Sequence, residues 1–416
     1  MIQNVRGTKD IFLNEIEKWH YLEETVKKVS SLFGYSELRT PIFEKTEVFS
    51  RSIGENTDIV NKEMYTFTDK GGESVTLRPE MTAALVRSVI QNNLTHEFST
   101  LRLWYFGPFF RYERPQKGRL RQFNQFGAEC ISSPHPESDV EIIQLAYQFI
   151  KEIGIDLFSL EINSLGNEIS RENYKKALIE YLSSNKEKLS NESQSRLLTN
   201  PLRVLDSKDD RDKEVINNAP NILEYLDEES KTHFDKVIEL LENAKIPYKI
   251  EPKLVRGLDY YSHTVFEFKS SALGSQDAFG GGGRYNTLFE QLGGKSTPAV
   301  GFAMGVERLI LILEHLDRFP KSSNTCDVYI VHSGESTIKY ANLIADQLRD
   351  SNIKVLMDLQ RRSFKAQMRE ADKFKAKYCL IIGDNEVAEN KVTIKNLSKG
   401  EQSEISLSLL NTIKFE

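Results

Sequence analysis

Four consecutive glycines, Gly280 to Gly283, run directly into Arg284-Tyr285. A stretch without side chains is of use where backbone must lie close against something, and it weakens an ordinary strand. A second stretch ahead of it, Arg256-Gly257-Leu258-Asp259-Tyr260-Tyr261-Ser262-His263-Thr264-Val265-Phe266-Glu267-Phe268, sets an arginine and an acid around a turn glycine and then becomes an apolar strand. A core strand has no need of Arg256, Asp259, Tyr260 and Tyr261 crowded before it. Burying so many polar groups costs free energy unless each finds a partner. A bound ligand is one such partner, so the two stretches read as the walls of a pocket.

At 416 residues the chain has room for two or three domains with sizeable cores. The formal net charge of -6 does not announce nucleic-acid binding, which would have to come from local basic patches. Cys130, Cys326 and Cys379 are far apart and fit no metal spacing, so they are expected to be reduced and buried. The N-terminus has no apolar signal core and no run has membrane-spanning length; the expectation is a cytoplasmic protein with no membrane partner.

Hydrophobic period organises the chain. Residues 14–33 carry Ile16, Trp19, Leu22, Val26, Val29 and Phe33 at helical spacing, ended by Gly34. Residues 36–43 predict a strand that Pro41 confines to an edge or an interface. A strand at 74–77 leads through Arg78-Pro79-Glu80 into a helix over 82–91. Residues 101–112 and 121–131 predict a long hairpin joined by a basic loop, 113–120, and 138–153 an amphipathic helix. Residues 168–246 turn charged and helical, which suggests an inserted helical subdomain. Strand returns at 254–268 and a helix at 303–316. After a plausible linker, Lys321-Ser322-Ser323-Asn324, strands near 327–331, 354–359 and 378–382 alternate with helices near 337–349 and 363–375. That alternation predicts a separate α/β domain with a largely parallel sheet.

Four constellations carry chemistry. In the first, residues 111–121 hold four arginines, a lysine and one glutamate. The bland reading is a solvated loop; the functional one is an arginine fork on phosphate beside an aromatic that stacks a base. In the second, Phe123, Gln125, Gly127 and Glu129 share one strand face, poor as core and sensible as the floor of a ligand site. The third is Arg78-Pro79-Glu80-Met81-Thr82, where Thr82 can cap the next helix but Glu80 is left without a role. In the fourth, Gly301, Ala303 and Gly305 suit a strand packed closely on a neighbour, and Arg308 then sits in a helical first turn against the dipole, which suggests placement for another purpose. The histidines, among them His135, His263 and His332, form no metal triad at usable spacing and are expected to be structural or exposed.

Taken together, these blocks resemble the class II aminoacyl-tRNA synthetases, and most closely the histidyl-tRNA synthetase family. Pro41 with its strand is similar to the dimer-interface motif of that class. Phe110-Arg111-Tyr112-Glu113 with Phe123 is similar to its second motif, and Gly305-Val306-Glu307-Arg308 to its third. Arg256-Gly257-Leu258-Asp259-Tyr260-Tyr261 and Gly282-Gly283-Arg284-Tyr285 resemble the two signatures of the histidine family. The likeness runs from Val5-Arg6-Gly7-Thr8-Lys9-Asp10 to the C-terminal domain. The sequence departs from the family pattern at Met81, where glycine is usual, and at Asn286, where aspartate is.

The resemblance implies an α+β catalytic core, with an antiparallel sheet of six or seven strands flanked by helices, a helical insertion, a C-terminal α/β anticodon-binding domain, and a homodimer. The divisions expected are core over 1–167 and 247–321, insertion over 168–246 and anticodon-binding domain over 325–416. The implied reaction joins ATP and L-histidine into histidyl-adenylate, then passes the acyl group to histidine tRNA. Mg2+ would arrive with ATP, with no metal cage in the protein. As the catalytic pair, Arg111 would bind the α-phosphate and the histidine carboxylate, and Arg256 would approach the α-phosphate from the other side; both would also count among the histidine-binding residues. Phe123 and Arg308 would enclose the adenine, with Glu113 on its amine and Arg121 also on the ATP side. Glu80, Met81 and Thr82 would receive the substrate's α-amino end. Glu129, Tyr261 and Gln125 would read the imidazole, and Tyr260 and Tyr285 would close the pocket. Arg114 and Gln116 would touch the tRNA acceptor end, and the insertion would embrace the acceptor arm. A basic face built from Arg361, Arg362, Lys365, Arg369, Lys373, Lys375 and Lys377 is either a solvated helix surface or a surface for RNA phosphates. Two other readings compete: a histidine-sensing regulatory subunit of ATP phosphoribosyltransferase, which typically loses parts of the ATP or tRNA machinery, and an RNA-binding module without catalysis.

Overall fold

Residues 36–43, expected as one strand, are divided by Pro41, which lacks the N–H that a ladder requires: β1 is Ser36–Glu37 and β2 is Phe43–Lys45. In chain order there follow β3 (Tyr65–Thr68), β4 (Ser74–Leu77), β5 (Leu101–Phe110), β6 (Gln122–Ile131), β7 (Ser159–Ser164), β8 (Lys249–Ile250), β9 (Ser262–Lys269), β10 (Ala278–Arg284) and β11 (Ala299–Gly305). The computed structural model describes residues 1–53, 57, 59–274, 277–320 and 326–412. It forms two units, Met1–Phe319 and Pro320–Glu416.

In the first unit the main sheet has the order β1-β5-β6-β11-β10-β9-β7-β8. From β5 to β7 every pairing is antiparallel. The two-residue strands β1 and β8 add parallel pairings at the edges. The expected antiparallel sheet is therefore the six-strand centre of a mixed eight-strand sheet. A smaller sheet, β2-β4-β3, stands apart.

Period two decides what each face does. Along β6, Phe126, Ala128 and Cys130 belong to a core shared with the helices Asn14–Leu32, Pro136–Glu152 and Val306–His315. Phe126 meets Phe149 and Phe302 edge to face, at centroid distances of 4.7 and 5.2 Å, a geometry the ring quadrupoles favour. The opposite face packs Tyr105, Tyr260, Tyr261 and Tyr285 with Met81 and Leu85. The same cluster takes in Tyr174, Leu178 and Leu182 from the helix Glu168–Ser184, while Phe234, Val237 and Leu241, later in the charged segment 168–246, join the first core.

Three expected boundaries shift. Residues 254–261 are irregular, and strand begins only at Ser262. The helix expected from 303 begins at Val306, because β11 continues through Gly305. The helix expected from 138 begins at Pro136, where a proline costs no intrahelical bond.

The second unit has its own sheet: β12 (Val328–His332), β13 (Val355–Met357), β14 (Tyr378–Ile382), β15 (Lys391–Asn396) and β16 (Gln402–Ser406), in the order β13-β12-β14-β15-β16. The strands that alternate with helices pair in parallel. The last two, not foreseen, pair antiparallel. The proposed linker at 321–324 lies outside the described residues. Cys130, Cys326 and Cys379 are buried free thiols. Among the described residues no helix is long and apolar enough to cross a membrane.

Candidate active site

The glycines open the site. In register, Glu129 of β6 faces Gly301 of β11, which faces Gly283 of β10. A Cβ on Gly301 would lie 1.5 Å from Glu129 Oε2, one on Gly281 2.8 Å from Arg256 Nη1, and one on Gly283 2.9 Å from the Tyr261 ring. Real Cβ atoms do not come so close. The side chains of Glu129, Arg256 and Tyr261 therefore lie across bare backbone, which is the close approach that the glycine run implied.

Over this floor lies a pocket of about 190 Å³ that brings together Glu80, Met81, Thr82, Arg111, Gln125, Glu129, Arg256, Tyr260, Tyr261 and Tyr285. Glu129 is buried, with Thr82 Oγ1 donating to Oε1 at 3.0 Å and the Tyr285 hydroxyl donating to Oε2 at 2.7 Å. Burial pushes its carboxyl up to about 8, against the pull of those two hydrogen bonds. A carboxylate so buried is poised for a ligand that donates a hydrogen bond or carries positive charge. Tyr285 thus sits against the floor of the pocket. Arg284, quoted beside it in the signature, has no exposure and is tied to Asp139, with Nη1 donating to the Ser133 carbonyl at 2.8 Å.

Glu80 takes the capping role expected of Thr82. Glu80 Oε2 accepts the Thr82 N–H at 2.7 Å and Oε1 the Ala83 N–H at 2.8 Å, so the glutamate satisfies the open amides of the helix Thr82–Gln91. The Thr82 hydroxyl is thereby released to Glu129. Burial raises the Glu80 carboxyl, with these amides and Arg111 opposing the rise. Met81 is buried, its Sδ 3.5 Å from Thr40 Oγ1, and it lines the pocket from that side.

A second recess of about 290 Å³ adjoins the pocket and is lined by Glu113, Phe123, Glu267 and Arg308 among others. Arg111, Gln125 and Arg256 line both cavities. Arg111 lies one residue beyond β5; its Nε donates to the Pro79 carbonyl at 2.9 Å and its guanidinium lies 5.2 Å from the centre of the Phe123 ring. Arg256 Nη1 donates to Glu267 Oε1 at 2.6 Å. Arg308 is held by the carbonyls of Ala278 and Gly118. Burial and the neighbouring Arg119 lower its pKa. Glu113 pairs with Arg119 at 3.3 Å. Arg121 points elsewhere: it stacks 4.0 Å over Tyr112, donates Nε to the Glu113 carbonyl at 3.3 Å, and lines neither cavity. Arg114 and Gln116 are exposed beside a tight turn, where Gln116 and Arg119 exchange backbone hydrogen bonds of 3.0 and 2.9 Å. Sequence reasoning missed Tyr105, which lines the pocket but reads as a core aromatic in an apolar strand, and Glu267. Among the described residues no group of three metal-ligating side chains is assembled.

Residues 7–309 match the model of the histidyl-tRNA synthetase family, and residues 327–414 match that of the anticodon binding domain. The chain is 50% identical to the chloroplastic histidine–tRNA ligase of Gracilaria tenuistipitata var. liui, over 96% of this chain and 94% of that protein. It is 48% identical to the histidine–tRNA ligase of Acaryochloris marina, over 99% and 95% respectively. The crystal structure of apo S. aureus histidyl-tRNA synthetase superposes with a TM-score of 0.85 at 38% identity, each chain fully covered. The chain belongs to the histidyl-tRNA synthetase family.

Proposed function

We propose that the smaller pocket takes L-histidine, that the adjoining recess takes ATP, and that Arg111 and Arg256 act where the two meet. The chain is a class II aminoacyl-tRNA synthetase that ligates histidine to histidine tRNA with ATP; which residues do the work is our reading. The observation that carries it is that both arginines line both cavities. An in-line attack of the histidine carboxylate on the α-phosphorus breaks the bond to the β-phosphate oxygen and releases pyrophosphate. Two guanidinium groups fixed at that junction meet the negative charge as it develops.

On the histidine side, Glu129 accepts an imidazole N–H, with Tyr261 and Gln125 beside it, while Tyr260 and Tyr285 enclose the ring. A site built from paired polar groups rejects analogues that leave them unpaired. Glu80 keeps lone pairs for the α-amino group while capping its helix, with Met81 and Thr82 alongside. On the ATP side, Phe123 and Arg308 enclose the adenine and Glu113 takes its amine. The carboxylates lining that recess are already engaged: Glu113 with Arg119, Glu267 with Arg256, and Glu307 with the Asn124 N–H at 2.9 Å. This favours Mg2+ entering on the ATP phosphates, as a small hard cation that keeps its oxygen ligands. Arg121 supports the loop from behind, and Arg114 and Gln116 meet the tRNA acceptor end at its tip.

We assign residues 1–167 and 247–321 to the catalytic core, 168–246 to an insertion that holds the acceptor arm, and 325–416 to the anticodon-binding domain. Ile42, Phe43 and Phe67, exposed by 43, 58 and 49%, offer an apolar surface that a second copy would cover in a homodimer. The cytoplasm is the proposed location. The test is ATP–pyrophosphate exchange with each amino acid in turn. Exchange with histidine alone is the expected result. Histidine binding without any exchange would point instead to a regulatory subunit of ATP phosphoribosyltransferase.

A further inference from the structure

Arg256 belongs to the irregular segment before β9, with no strand ladder to fix it, so something else must set which edge of its guanidinium faces the phosphate. Its Nη1 donates to Glu267 Oε1 at 2.6 Å, while its Nε is buried without a hydrogen-bond partner among the described residues. An orphaned buried donor of this kind is costly, so the bond through Nη1 is the one that sets how the guanidinium lies. Glu267 stands opposite Gly281 in the β9–β10 register, and a Cβ on that glycine would lie 2.8 Å from Arg256 Nη1. The pair therefore lies flat across backbone that only glycine leaves open. Glu267 is itself held: Lys269 Nζ lies 3.5 Å from Oε2 and 2.6 Å from Glu161 Oε2. Glu161 faces Glu267 directly across β7 and β9, and like charges in that position repel unless a cation lies between them.

We propose that Glu267 is a positioning residue for adenylate formation: it takes up Nη1 of Arg256 and so fixes the guanidinium at the junction of the two cavities, where it meets the α-phosphate. An arginine already oriented needs no rearrangement as charge develops on the phosphate. The proposal rests on the assignment of Arg256 to the α-phosphate given above.

A double-mutant cycle in histidine-dependent ATP–pyrophosphate exchange separates the two ideas. E267Q should lower kcat by about 10- to 100-fold, with the KM values for histidine and ATP within roughly a factor of two of wild type. E267D, which keeps the charge, should recover part of that loss. E267Q added to R256A should slow the enzyme no further than R256A alone. If E267Q fails to fold, as its melting transition would reveal, K269M loosens the same carboxylate and should show the same dependence on Arg256. Independent losses in the double variant, with R256A slow, would overturn the role of Glu267 and leave that of Arg256 standing. A raised KM for ATP at normal kcat would overturn it too, since Glu267 would then meet the nucleotide itself. A wild-type kcat in R256A would remove the reading of Arg256 and this inference with it.

Discussion

Glu129 and Gly301 face each other across two strands, and each predicts something about the other. A Cβ on Gly301 would lie 1.5 Å from Glu129 Oε2 and 2.7 Å from the Ala128 carbonyl. The carboxylate can move and the carbonyl cannot, so Gly301→Ala should eject Glu129 from the pocket. Histidine-dependent exchange should fall by about 100-fold or more, with a stability loss of about 1–3 kcal/mol from overpacking in a melting experiment. Glu129 also makes stability depend on pH. Its carboxyl is raised to about 8 by burial. Between the ordinary carboxylate value and about 8 the folded chain holds a proton that the unfolded chain has released, so stability falls as pH rises through that window. In the absence of ligands, Glu129→Gln should flatten the decline of Tm between about pH 5 and pH 8; an unchanged slope would show that Glu129 titrates normally. The sequence exposed part of this arrangement. Period two put Gln125 and Glu129 on one face, and the small residues at 301 and 303 signalled close packing. That Gly301 lies against Glu129 depends on strand register, which pairing across the sheet decides.

The irregular segment before β9 carries Arg256, Tyr260 and Tyr261 and is gripped by Arg171 of the helix Glu168–Ser184 and by Asn200, just past the helix Asn191–Thr199. Arg171 Nη1 donates to the Tyr261 carbonyl at 2.8 Å and to the Asp259 carbonyl at 3.4 Å, and Asn200 Nδ2 donates to Asp259 Oδ1 at 3.3 Å. Burial lowers the pKa of Arg171, as expected of a guanidinium held among protein carbonyls. A hydrogen bond from a charged donor contributes about 1.5–3 kcal/mol, so Arg171→Ala should raise the KM for histidine by roughly tenfold or more and change the KM for ATP much less. Arg171→Lys should restore part of it. Equal changes in both would mean general loosening of the fold. Elements with a long, clean period were legible in advance: the strands β5 and β6, β4, β14, and the helix Thr82–Gln91. The two-residue strand β8 had no period to show, and β15 and β16 alternate too weakly to stand out. Their pairing partners create them. The Arg171 hydrogen bond was invisible for the same reason, because it joins a charged surface helix to a loop ninety residues away.

At the scale of the molecule, the chain forms two units. Each has its own apolar core, with Phe126, Phe149 and Phe302 in the first and Val328, Ile330 and Leu380 in the second. Every residue assigned to adenylate formation lies between Glu80 and Arg308 in the first unit. The second unit should therefore matter only once tRNA takes part. Its candidate RNA-facing surface is narrower than the sequence suggested. Arg362 is held by Asp358 and Glu370 at 2.5 and 2.8 Å, Lys377 by Asp327 at 3.6 Å, and Arg361 by Glu335 at 3.7 Å. Lys365, Arg369 and Lys373 remain exposed at successive i, i+4 positions on the helix Phe364–Lys373, one row of cations on one face. A chain with net charge -6 repels RNA at long range, so a local row of this kind has to supply the attraction. Replacing all three with glutamine should leave histidine-dependent pyrophosphate exchange unchanged. It should raise the KM for histidine tRNA and reduce the salt dependence of charging by about one unit of log–log slope for each phosphate that is no longer neutralised. The salt series is the decisive measurement. A higher KM with the wild-type slope would mean that the helix is needed for the fold of its unit rather than for binding phosphate. An unchanged KM would return the whole row to solvent.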